Sequence, residues 1–63
     1  MDFAKKVKIV RGILKISQEK LAQLLEVSFS TVNRWVQGKS LPSYAAMQKF
    51  GALCKEKDIT FDE

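Results

Sequence analysis

Sixty-three residues with one cysteine, no histidine and a formal charge of +4 leave room for one small domain that must fold without an internal disulfide. A hydrophobic content of 46 % is too high for a disordered segment, and scattered carboxylates beside a lone cysteine offer no zinc site. No apolar run approaches the ~20 residues that span a bilayer, and the amphipathic start is not a signal peptide, so a cytoplasmic protein is expected.

Phe3, Val7, Val10 and Leu14 recur at helical spacing, with Lys5, Lys6, Lys8 and Lys15 on other faces and Asp2 placed to cap the first turn. The basic face reads as solubilising. Gly12 lies inside this helix at a cost of ~1 kcal/mol relative to alanine, which a close approach by another helix would explain. Ser17 is the expected cap of a second helix, with Glu19 in its first turn; Lys20 stands where a capping box needs Glu or Gln. Leu21, Leu24 and Leu25 form its inward stripe, and Ala22 is small enough for two helices to cross closely.

Ser28 caps a third helix, Phe29 to about Gln37, with Val32, Trp35 and Val36 inward and Ser30, Asn33, Arg34 and Gln37 outward. Gly38 is the expected left-handed stop. Leu41-Pro42-Ser43 opens a last helix to about Glu56, with Ala46, Phe50, Leu53 and Cys54 inward, Cys54 as a small buried hydrophobe and Met47 in the core or a dimer contact. Ile59 and Phe61 can fold back on the body. The expected fold is all-α, with four helices and no sheet.

Ser17 to Gly38 therefore reads as two short amphipathic helices joined by a tight turn, the pattern of a DNA-reading helix-turn-helix. Such a unit holds its second helix steeply against the first, so that the outer face enters a groove about 12 Å wide. Leu21, Ala22, Leu25, Val27, Val32 and Trp35 supply the small and apolar residues this geometry needs. No acidic residue lies between Glu26 and Glu56, whereas Arg34, Lys39, Lys49 and Lys55 do, as a surface facing a polyanion requires.

The strings Ser17-Gln18-x-x-Leu21-Ala22 and Thr31-Val32-Asn33-Arg34-Trp35-x-x-Gly38-Lys39-Ser40-x-Pro42-Ser43 resemble the Cro and lambda-repressor-like helix-turn-helix family of prokaryotic and phage regulators. The match runs from about Arg11 to Ser43. It implies a compact lambda-repressor-like domain of four or five helices over residues 1–63, with the motif at 17–38. By position it implies that Gln18 starts the supporting helix at a sugar-phosphate backbone, that Phe29, Ser30 and Arg34 face bases, and that Lys39 and Ser40 meet the backbone again.

Side-chain chemistry agrees. Arginine bonds a guanine edge bidentately, asparagine does so with adenine, and an apolar side chain covers a thymine methyl. Serine, threonine and glutamine suit phosphate. The expected base-facing set is thus Phe29, Ser30, Asn33 and Arg34, and the expected backbone set is Gln18, Ser28, Thr31, Lys39 and Ser40. Phe29 divides evenly between filling the groove and tucking into the protein.

Two positions depart from the family. Glu26 stands where glycine usually starts the turn, which costs roughly 1–2 kcal/mol if the residue is left-handed. Val36 replaces a glutamate that commonly pairs with the arginine of the first helix, so Arg11 is left to meet phosphate or solvent.

The leading expectation is a sequence-specific double-stranded DNA-binding transcriptional regulator, with affinity gained by a homodimer on two half-sites. The last helix and the Ile59-Thr60-Phe61 tail are the expected dimer surface. The alternative is a protein-interaction module, antitoxin-like or regulatory, that keeps the fold without the DNA role; Glu26, Phe29 and the modest charge favour it. The same sequence also suits the DNA-binding piece of a longer regulator. An enzyme is not expected, because no nucleophile has an adjacent base and no carboxylate pair or glycine-rich phosphate loop is present. No cofactor, membrane or small-molecule substrate is implied.

Overall fold

Four serine or aspartate caps start four helices. In the computed structural model, which describes residues 2–61, these are α1 (Phe3–Leu14), α2 (Gln18–Leu25), α3 (Phe29–Val36) and α4 (Tyr44–Glu56), with no strand among the described residues. A carboxylate oxygen of Asp2 accepts from the Lys5 backbone N–H at 2.9 Å. The hydroxyls of Ser17, Ser28 and Ser43 accept in the same way from Lys20, Thr31 and Ala46 at 3.0, 3.2 and 3.2 Å. Each such cap contributes about 1 kcal/mol.

All four helices also stop alike. Lys15, Glu26, Gly38 and Asp58 take φ of 56°, 57°, 74° and 57°. The next residue closes each end by donating its backbone N–H back five positions: Ile16 to Arg11, Val27 to Ala22, Lys39 to Arg34 and Ile59 to Cys54, at 2.8–3.1 Å. This is the Schellman stop, in which an apolar residue after the left-handed position packs back on the helix. Ile16, Val27 and Ile59 do so against the core.

Three of the four left-handed residues carry a side chain, at a cost of roughly 1–2 kcal/mol each. Glu26→Gly is therefore expected to stabilise the fold by about 1 kcal/mol, because the exposed ion pair that it removes is worth less. For a domain of this size that is a rise of ~4–8 °C in melting temperature. A lower melting temperature for the variant contradicts the turn geometry.

The core runs as an aromatic chain through three helices and the tail. Phe3 of α1 meets Trp35 of α3 edge-on at 5.2 Å and Phe50 of α4 at 4.9 Å, and Phe50 stacks on Phe61 at 6.4 Å. Lys6 lies 5.4 Å from the Phe61 ring centre and so covers the end of the chain. Val7, Val10, Leu21, Leu25 and Val32 are fully buried around these rings, Ala22 is buried between α2 and its neighbours, and Ile59 folds into the same cluster. Cys54 is buried as well, and desolvation pushes its thiol above its ordinary pKa against the smaller opposing effect of Lys6. Native Cys54 is expected to resist alkylation at neutral pH and to react once the chain is unfolded; equal rates in both states contradict its burial.

Several sequence expectations are corrected. Leu24 is 43 % exposed, because at 100° per residue it points away from the Leu21–Ala22–Leu25 stripe. A Cβ at Gly12 meets nothing within 4 Å, so no helix approaches there. Met47 is exposed rather than core, whereas Phe50 is core. Arg11 has a contact the sequence did not suggest: its Nε donates to the Ile16 carbonyl at 3.3 Å and ties down the end of α1, while the side chain is only half-buried. Among the described residues no helix is long and apolar enough to cross a membrane.

Candidate nucleic-acid interface

α3 packs on α1 and α2 through one side only, since Val32 and Trp35 are buried while Ser30, Arg34 and Gln37 are exposed on the opposite side. Phe29 begins the helix 51 % exposed, which resolves its even division in favour of an outward ring. From Phe29 to Gln37 the outer face is ~12 Å long at 1.5 Å per residue. It is short enough to present within one groove, and its buried side fixes its rotation.

The N-terminal end of α3 carries three hydroxyls in one cluster. The Ser28 hydroxyl lies 2.8 Å from that of Thr31 and 3.2 Å from that of Ser30, and it also caps the helix. Polarised hydroxyls at the positive end of a helix make a surface suited to anionic oxygen. At the other end, Lys39 is held by its own backbone, its N–H donating to the Arg34 carbonyl at 2.9 Å past left-handed Gly38. The exposed lysine therefore leaves the helix at a fixed level, one step before the half-buried Ser40.

Asn33 and Gln37 are linked, with Gln37 Nε2 donating to Asn33 Oδ1 at 3.3 Å. This bond occupies one of the two lone pairs of the Asn33 oxygen, so the side chain keeps an acceptor site and its amino group, and the bond holds it against Gln37. Gln37 is the residue of this face that the sequence reading left without a role. Its spacing of one turn from Asn33 was the available signal.

Gln18 sits apart, at the first position of α2, half-buried with its Oε1 enclosed and unpartnered among the described residues. Glu26 does not project freely: its carboxylate takes the Lys49 ammonium of α4 at 3.2 Å. This pair removes one negative charge from the turn and one positive charge from the acid-free segment. Val36, in the family's glutamate position, is half-buried against the core.

Comparison with known proteins agrees with this architecture. A family model described as helix-turn-helix matches residues 7–60. The HTH-type transcriptional activator BcrR of Enterococcus faecalis is 32 % identical over 63 residues, which is all of this chain and 29 % of that protein. The chain thus spans less than a third of the length of this curated relative. No solved structure matches. The four-helix architecture and the match over residues 7–60 together show that the chain belongs to the Cro/C1-type helix-turn-helix family of DNA-binding domains.

Proposed function

We propose that this chain is the sequence-specific double-stranded DNA-binding unit of a transcriptional regulator, with α3 in the major groove. The observation that carries the reading is the two-sidedness of α3: Trp35 and Val32 lock one side into the core, and the other offers Ser30, Arg34 and Gln37 to solvent. Arg34 takes a guanine edge, Phe29 covers a thymine methyl, and Ser30 and the Asn33 amino group bond base acceptors. Ser28 and Thr31 at the helix start, Lys39 and Ser40 after it, and Gln18 at the start of α2 hold phosphates. With its oxygen turned in, Gln18 uses its amino end for this purpose. Transcription regulation is supported by the family and by the printed name of the relative.

One module of this size buries little surface, so useful affinity calls for two copies on half-sites about one helical turn apart. Titrating a duplex at increasing salt tests the electrostatic part of the proposal. Affinity is expected to fall steeply and linearly on a log–log scale. Absent or salt-insensitive binding contradicts DNA binding and favours a protein-interaction module instead.

A further inference from the structure

Two bonds join Gln37 to Asn33 at the last turn of α3. The Gln37 backbone N–H donates to the Asn33 carbonyl at 3.1 Å, and its side-chain Nε2 donates to Asn33 Oδ1 at 3.3 Å. Gln37 is itself held in place, since Gly38 after it is left-handed at φ 74° and the Lys39 N–H closes on the Arg34 carbonyl at 2.9 Å. Asn33 is half-buried, whereas Gln37 is exposed. A carboxamide presents an acceptor at one end and a donor at the other, and turning it over exchanges them. The bond from Gln37 removes that freedom. It keeps Oδ1 on the Gln37 side and turns the Asn33 amino group to the other.

We infer that Gln37 is a positioning residue, which sets the order in which Asn33 presents its acceptor and donor to a base. This rests on the proposed placement of α3 in the major groove. Adenine offers its N6 amino group and its N7 acceptor side by side there. The second lone pair of Asn33 Oδ1 takes the amino group while Nδ2 donates to N7. These two groups of adenine come in the opposite order along the groove when the base lies on the other strand. An amide held one way therefore tells A·T from T·A, and an amide free to turn does so poorly. The bond gains strength as α3 enters the groove and water leaves, because a hydrogen bond is electrostatically stronger in a low dielectric. Gln37 acts through Asn33 and need touch no base.

Site selection from random duplexes tests this with the unaltered chain, with Asn33→Ala to locate the base pair, and with two variants of Gln37. Gln37→Met keeps the length of the side chain but cannot donate. It is expected to leave the melting temperature unchanged and to lower the preference between A·T and T·A at that base pair by about tenfold, with the other base pairs read as before. Gln37→Glu offers only an acceptor, so Asn33 turns its amino group toward it. The adenine that the unaltered chain prefers is then expected to be disfavoured. A Gln37→Met chain that keeps the full preference overturns the inference, as does a motif in which Asn33→Ala changes no preference.

Nitrogen-15 relaxation of the Asn33 side-chain amide in the free chain reads its ordering without DNA. The amide is expected to be well ordered in the unaltered chain and more mobile in Gln37→Met. Equal mobility in the two overturns the inference even where a motif is selected. A chain that selects no motif while Gln37 orders its Asn33 amide locates the failure in the DNA reading, and the base-ordering role falls with it.

Discussion

Replacing Trp35 by alanine is expected to leave little folded protein at physiological temperature. The ring is 2 % exposed and is the point where α3 meets the Phe3 edge of α1 at 5.2 Å. Truncating a buried tryptophan costs about 3–5 kcal/mol, because the surroundings only partly close over the space left behind. A chain of this length has a total stability of roughly 3–9 kcal/mol, so the loss takes a third or more of it. Phenylalanine at the same position keeps the edge contact and part of the volume, and should give an intermediate melting temperature. Thermal denaturation followed by circular dichroism distinguishes the three proteins. If the alanine variant melts within a few degrees of the unaltered chain, Trp35 does not anchor α3.

Arg34→Ala is expected to behave in the opposite way, with stability unchanged and recognition damaged. Its side chain is exposed and no core contact depends on it. Specific binding should weaken by ~1–3 kcal/mol and the preference at one base pair should relax. Lys39→Ala is the informative control. It should weaken binding evenly across sequences and reduce the magnitude of the salt slope by about one, as a phosphate contact does. An Arg34→Ala protein that keeps full affinity and full base preference removes that residue from the reading face.

Much of this molecule was legible in the sequence because the relevant physics is local. Asp2, Ser17, Ser28 and Ser43 are caps by chemistry, and Gly38 is a left-handed stop by the absence of a Cβ. Trp35, Val32 and Leu21 are inward by helical period. The remaining left-handed stops show where local reading ends. Lys15 carries no signal for positive φ and Asp58 only the weak one of aspartate; the packing of Ile16 and Ile59 against the core just after them makes the strained turn worthwhile.

Leu24 looked inward because leucine is apolar, but whether a flank of a short helix is covered depends on its neighbours in space. The contacts of Arg11 and Lys49 were hidden for a related reason. One reaches a carbonyl across a turn, and the other a carboxylate 23 residues away. On α3, the exposed set was readable from the period. The bond from Gln37 to Asn33, which orients the Asn33 amide, was not.

Selecting binding sites for the whole chain from a pool of random duplexes tests the central claim, that α3 reads base sequence, most directly. The account predicts enrichment of a defined short motif, with a guanine whose preference is lost in Arg34→Ala. A pool that stays unenriched through repeated rounds, while the chain remains folded, contradicts it.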